Sequence, residues 1–292
     1  YLWFHAVRIS VVIIKLSLLV EGEYFMGTDV SSHDVWASGA SYEPYVGRWS
    51  RLVAREFIHW LDLPEDKRWL DVGCGTGALS QTILNLANPQ KVKGIDRSEG
   101  FAGFAHRQTN HPKAEFEVGD AQALPVESET YDAAVSGLVL NFVPQPDQMI
   151  AEMRRAVCKA GTVALYVWDY AGKMQFMRHF WNAAAALDPA GQDFDEGRRF
   201  PLCNPDALTK LLQDAELTEI QARPIDISTD FKDFDDYWTP FLGGQGSAPG
   251  YLMSLSEERR AQLRERIFNS LPFASDGSIP LVARAWAIRG VK

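Results

Sequence analysis

The spacing of apolar residues switches repeatedly between two periods along the first 170 positions. Between residues 48 and 61, Trp49, Leu52, Val53, Phe57, Trp60 and Leu61 recur every three to four residues, which predicts a helix that Pro64 closes. Residues 69–72 form a short apolar run that reads as a buried strand. A helix follows at 78–87, stopped by Asn88 and Pro89, and then a strand at 91–96. Ser98 is placed to cap a helix running through residue 108. Strands are expected at 114–118 and 131–136, a helix at 147–158 and a strand at 162–168. Strands alternating with helices imply parallel pairing with helices on both faces of the sheet.

After Trp168 the rhythm changes. Residues 171–203 are rich in aromatics, methionine and alanine, with no strand pattern. A helix is expected at 205–215 and a strand at 217–227. Residues 230–271 read as mostly helical, interrupted by a loop GGQGSAPG at 243–250, with Ser254 and Glu257 as a capping box for the last helix. A final strand is expected at 281–288. The whole reads as one α/β domain over 26–292 with helical insertions at about 171–203 and 230–271. Residues 1–20 are apolar but carry Arg8 and Lys15, leaving no uncharged run long enough for a bilayer. Residues 1–25 are therefore expected to be an extension outside the fold, and no membrane association is expected.

Composition narrows the function classes. The chain of 292 residues is 46% hydrophobic and 12% aromatic, enough for a sizeable core. Its formal net charge of -9 disfavours nucleic acid, which needs a basic face. Cys74, Cys158 and Cys203 are widely spaced. They make neither a disulfide framework nor a metal site, which suits a cytoplasmic location and no metal.

The candidate chemistry centres on WLDVGCGTGALS at 69–80, where Gly73, Gly75 and Gly77 follow a strand and precede a helix. Such a turn brings backbone N–H groups and the positive end of a helix to one point. By itself the turn also satisfies a loose dinucleotide pattern, so an NAD(P)-dependent oxidoreductase is one reading. The carboxylates around it favour another. Asp71, at the end of the first strand, would repel a pyrophosphate and attract an ammonium. Asp96, at the end of the second strand, can accept two hydrogen bonds from a ribose diol, as a strand-end carboxylate outside the core. Asp120, in VGDAQALP, can accept from an adenine amino group, with the Ala121 N–H donating to the ring. The three together describe a cationic nucleoside.

WLDVGCGTG, GIDRS, VGDAQALP and YDAAVSGLVLNFVPQPDQMIAEMRRAVCKAGTV, in that order, resemble the class I S-adenosylmethionine-dependent methyltransferases. The likeness is to the small-molecule branch that includes quinone-biosynthesis enzymes, and it covers roughly residues 42–170. It implies a Rossmann-like seven-stranded sheet, mostly parallel with an antiparallel last strand, the helical insertions forming a lid. It also implies that Asp71, Gly73, Cys74, Gly75 and Gly77 hold the methionine part of S-adenosyl-L-methionine. Asp96 then holds the ribose, flanked by Arg97, and Asp120 and Ala121 read the adenine. Ser136, Gly137 and Leu138 lie under the sulfonium. Tyr45 and Arg51 resemble lead-in residues that contact the cofactor carboxylate. One departure is CKAG at 158–161, where the family often has a Pro-Gly pair.

In-line methyl transfer asks the protein mainly for alignment and exclusion of water. A base is needed only for a protonated acceptor, and Asp169, Tyr170, His179 and His33 are weak candidates. The acceptor is expected to be a small, partly apolar molecule. Trp168, Tyr170, Phe176, Phe180, Trp181, Tyr237, Trp238, Phe241 and Tyr251 lie in or beside the insertions. They form either the insertions' own core or a lining for the acceptor. The alternatives are the oxidoreductase, a non-catalytic cofactor-binding module and a nucleic-acid methyltransferase. The acidic balance opposes the last, as does Leu140-Asn141-Phe142 where an Asn-Pro-Pro-aromatic signature would stand.

Overall fold

The structure is a computed structural model and describes residues 48–243 and 246–292. Tyr45, His33 and the extension expected at 1–25 lie outside the described residues.

Helix α1 (Arg48–Leu61) buries Val53, Ala54, Phe57, Ile58 and Leu61 along one face, while Leu52, expected on the apolar stripe, is exposed. It ends at Asp62, whose φ is +45°. The sheet then builds through β1 (Arg68–Val72), α2 (Ala78–Leu86), β2 (Lys91–Asp96), α3 (Glu99–Thr109), β3 (Ala114–Val118) and β4 (Tyr131–Gly137). It continues with α4 (Pro146–Ala156) and β5 (Val157–Trp168). Ser98 caps α3 as expected, accepting from the Phe101 N–H. Beyond β5 come α5 (Gln175–Leu187), the short α6 (Glu196–Arg199), α7 (Pro205–Asp214) and β6 (Thr218–Ser228). Helices α8 (Phe234–Trp238), α9 (Ser247–Ser254) and α10 (Glu257–Ser270) lead to β7 (Val282–Val291).

The seven strands lie in the order β3-β2-β1-β4-β5-β7-β6. Strands β1 to β5 pair in parallel, and β7 runs antiparallel to both neighbours. This is the expected Rossmann-like sheet, with the final strand inserted between β5 and β6. Residues 163–168 of β5 are all buried, as a strand covered on both faces requires. The strand order reverses between β1 and β4, and a crevice opens beyond the carboxyl ends of strands at such a reversal.

Three local expectations are corrected. The helix expected at 147–158 ends at Ala156, and β5 begins at once with the buried Val157. The register then jumps from Tyr131↔Val157 to Ala133↔Thr162, so residues 158–161 bulge out. That bulge is tied to the chain's end: the Ala160 N–H donates to the Lys292 carbonyl and the Lys292 N–H to that of Gly161. In the stretch 243–250, the second half is the first turn of α9 rather than loop. Pro249 is tolerated there because the amides of a first turn have no helical partner. Finally, Ser256 rather than Ser254 caps α10, accepting from the Arg259 N–H, because Ser254 still belongs to α9 and bonds back to the Tyr251 carbonyl.

The insertions are held by their own aromatics. The Phe176 ring lies against Trp49, Phe231, Tyr237 and Phe241, with centroids 4.5–5.4 Å away. Phe180 stacks on Phe241, and Trp181 meets Tyr251. The Tyr237 hydroxyl donates to the Phe176 carbonyl at 2.8 Å. Phe176, Phe180, Trp181, Tyr237, Phe241 and Tyr251 thus pack against one another within the insertions.

Candidate functional site

Strand β1 delivers buried residues to a loop made almost wholly of backbone. Gly73, Gly75 and Gly77 all have positive φ, +74°, +52° and +86°. The N–H groups of Gly73 and Cys74 both donate to the Ile95 carbonyl, which ties the loop to β2. A Cβ at Gly73 would stand 2.6 Å from the Val139 methyls, so only glycine lets the loop close on the segment after β4. Helix α2 starts at Gly77 without a side-chain cap.

Asp71 is 1% exposed. Its Oδ2 accepts from the Ser80 hydroxyl at 2.6 Å, while Oδ1 is buried without a partner. Burial pushes this carboxyl up to about 7; the Ser80 bond opposes the rise and the Asp96 charge adds to it. Asp96 is also buried, at 8% exposure, which corrects the expectation of a strand-end carboxylate outside the core. Its Oδ2 accepts from the Gly75 N–H at 2.9 Å and its Oδ1 from the Ser98 N–H at 2.8 Å. Burial raises its pKa against those two bonds and the Arg97 charge. A carboxylate oxygen has two lone pairs, so each oxygen of Asp96 can still take one more donor, as a diol would supply.

Asp120 is exposed and closes a turn on itself, accepting from the Gln122 N–H at 2.9 Å, with Ala121 half-buried beside it. Arg97 and Arg51 are exposed. The Cys74 thiol is buried, and burial drives its pKa well above the ordinary value, so it stays a thiol.

At the end of β4, Ser136 is buried with its hydroxyl unpaired. Gly137 packs against Tyr166 so closely that no Cβ would fit. Leu138 takes a φ of +64° and donates its N–H to the Tyr166 carbonyl at 2.8 Å. A non-glycine residue in that conformation is costly and often marks a functional turn. A short 3₁₀ turn follows at Leu140–Phe142. Within it, both amide atoms of Asn141 are buried without a partner. The Phe142 ring meets Phe200 edge-on at 5.3 Å, and Tyr170, just past β5, lies 5.5 Å from Phe200. The end of the first insertion therefore touches the residues that follow β4 and β5.

Two of the base candidates are otherwise engaged. Asp169 accepts from the N–H groups of Gly172 and Lys173, both at 3.0 Å, and so shapes the turn after β5. His179 Nδ1 is 3.2 Å from the Ser270 hydroxyl, joining α5 to α10. Burial lowers its pKa. Asn141 and Phe142 entered the sequence reading only as the place where an Asn-Pro-Pro-aromatic signature is missing, and Phe200 was not singled out. The two rings are ordinary apolar residues in loops, and nothing in a sequence pattern reports an amide left unpaired by tertiary packing.

Residues 70–165 match the family described as "Methyltransferase domain". The chain is 28% identical to trans-aconitate 2-methyltransferase of Variovorax paradoxus, over 54% of this chain and 57% of that protein. It is 31% identical to 2-phytyl-1,4-naphtoquinone methyltransferase of Thermosynechococcus vestitus, over 37% of this chain and 49% of that one. The chain thus spans about half the length of these curated relatives. Among solved structures, phosphoethanolamine N-methyltransferase 2 of Haemonchus contortus, with S-adenosylhomocysteine bound, aligns with a TM-score of 0.54. That alignment has 14% identity and covers 87% of this chain and 56% of that one, a likeness of fold. The glycine loop, Asp96, Asp120 and Asn141 all lie within the stretch that matches this family.

Proposed function

We propose that the chain is an S-adenosyl-L-methionine-dependent methyltransferase that acts on a small, partly apolar acceptor by in-line transfer. The observation that carries this reading is the pair of buried carboxylates flanking the glycine loop, one with an unpaired oxygen and one with spare lone pairs. Asp71 Oδ1 is a ready partner for an ammonium, since an unpaired buried polar atom is costly and an opposite charge relieves it. Asp96, oriented by the Gly75 and Ser98 amides, would hold the ribose diol. The start of α2, which no side chain caps, suits the carboxylate of the methionine part. Asp120 and Ala121 would read the adenine.

When bound, S-adenosylmethionine supplies a methyl group already activated on a sulfonium. The chain's part is to hold the two reactants in line and to keep water out. Gly137 and Leu138 shape the floor beside β4, and Phe142, Tyr170 and Phe200 form an apolar wall next to it. The relatives named for trans-aconitate and a naphthoquinone support a small acceptor. The oxidoreductase reading is weakened by Asp71, whose carboxyl group stands where a pyrophosphate would need donors.

Among the described residues no helix is long and apolar enough to cross a membrane. The three cysteines are free thiols, which supports a reducing, cytoplasmic setting. Titration calorimetry tests the reading: S-adenosylhomocysteine binds and NAD does not. Binding of NAD with no binding of S-adenosylhomocysteine would reverse it.

A further inference from the structure

We propose that the exposed face of α10 binds the same face of a second copy of this chain, antiparallel across a two-fold axis at Gln262. None of the residues involved belongs to the cofactor site proposed above. Helix α10 buries only Leu263 and Ile267. Glu258, Arg259, Gln262, Glu265, Arg266 and Asn269 are all exposed. At about 3.6 residues per turn they fall on one stripe centred on Gln262. A cavity of about 270 Å³ lies on the second half of that stripe, lined by Leu187 at the end of α5 and by Gln262, Glu265, Arg266 and Asn269. Among the described residues, neither Glu265 nor Arg266 has an ion pair or a side-chain hydrogen bond.

The order of charges selects the occupant. Outward from Gln262, acid and base exchange places: Glu258 stands before it where Arg266 stands after it, and Arg259 where Glu265 does. A two-fold axis through Gln262 lays each residue against its counterpart in the other copy, as a self-complementary contact requires. Glu258 then meets Arg266 of the second copy, and Arg259 meets its Glu265, each pair occurring twice. Gln262 meets itself, and a carboxamide can donate and accept at once. A parallel alignment would instead set acid on acid and base on base. Arg259 already donates from Nη1 to Asp188 Oδ2 at 3.0 Å, and a guanidinium has donors to spare for a second carboxylate. Glu258 of the second copy lies over the cavity beside Arg266 and has room to enter it. Exposed ion pairs each contribute little, so the dimer is weak and reversible.

Sedimentation equilibrium of the full chain, from micromolar to submillimolar concentration, tests the contact. The wild type should follow a monomer–dimer equilibrium. Arg266→Glu sets an acid against Glu258, and Glu258→Arg sets a base against Arg266. Each should weaken the dimer at least about tenfold. The double variant Glu258→Arg/Arg266→Glu should restore the dimer to within about threefold of the wild type, because acid and base face each other again. The two positions stand eight residues, about 12 Å, apart on one helix, too far to pair within a chain, so the rescue reads contact between copies. All three variants should keep the wild-type circular dichroism spectrum, since the side chains are exposed. Should one single variant not fold, the other and the double variant carry the test. A wild type that stays monomeric over the whole range, association that ignores the single charge reversals, or a folded double variant that stays monomeric would overturn the proposal.

Discussion

Asp71 and Glu196 are both carboxylic acids buried in this chain, and burial raises both, to about 7 and about 8. Their surroundings differ. Glu196, at the start of α6 in the first insertion, accepts from the Trp181 indole N–H. Asp71, at the end of β1, keeps one oxygen buried and unpaired. A perturbed acid is therefore not in itself a mark of function in this molecule. What separates the two acids is whether the carboxyl group itself is satisfied. The insertions close on themselves mainly through rings, with Arg178 Nε, the Tyr251 hydroxyl and Arg260 Nε also buried without a partner; around the glycine loop the open atoms are Asp71 Oδ1, the Ser136 hydroxyl and the Asn141 amide, on β1, β4 and the turn after β4.

The contrast can be broken first from the insertion side. Phe176→Ala removes a ring at the centre of the aromatic cluster and should cost about 3–5 kcal/mol of stability in urea unfolding. The remaining folded protein should bind S-adenosylhomocysteine with unchanged affinity, and a parallel loss of affinity would show that the two regions are not separate. Gly73→Ala attacks the other side. It meets both a positive φ and the Val139 methyls, so it should cost about 2–4 kcal/mol and abolish cofactor binding. Gly75→Ala has the same kind of φ and nothing within 4 Å of its Cβ, so only about 1–2 kcal/mol is expected. Equal losses at the two glycines would refute the role given to the contact with Val139.

Asp96→Ala sharpens the picture of the ribose site. It should weaken S-adenosylhomocysteine by about 1.5–3 kcal/mol, measured by calorimetry. Because it also strands the Gly75 and Ser98 amides, it should lower stability as well, by about 1–3 kcal/mol. Unchanged affinity in the folded variant contradicts the assignment.

How much of this was legible beforehand divides along the same line. The seven strands and the glycine loop were readable because their signals are local: apolar runs, strand-end carboxylates, and glycines where φ is positive. The bulge at 158–161 was not, since it depends on the Lys292 backbone, more than a hundred residues away. The start of α9 was hidden by Pro249 and Gly250, which look like loop residues although a first turn tolerates them. Asp96 and Asp120 read alike in sequence, each at a strand end, yet one is buried on two amides and the other is exposed. Asn141 was read only as part of a missing signature, because an unpaired amide is a property of packing, not of spacing.

Acid–base linkage gives the most direct test. Since the folded-state pKa of Asp71 lies above its unfolded value, its contribution to stability is full below about pH 4 and is lost as pH rises through about 7. Glu196 behaves the same way up to about 8. Only Asp71 should respond to ligand: an ammonium against Oδ1 favours the ionised form and expels its proton. Calorimetry of S-adenosylhomocysteine at pH 6, in buffers of different ionisation enthalpy, reads that proton. The wild type and Glu196→Gln should each release about one proton on binding, and Asp71→Asn should release none. No binding, or proton release that survives Asp71→Asn, would contradict the account.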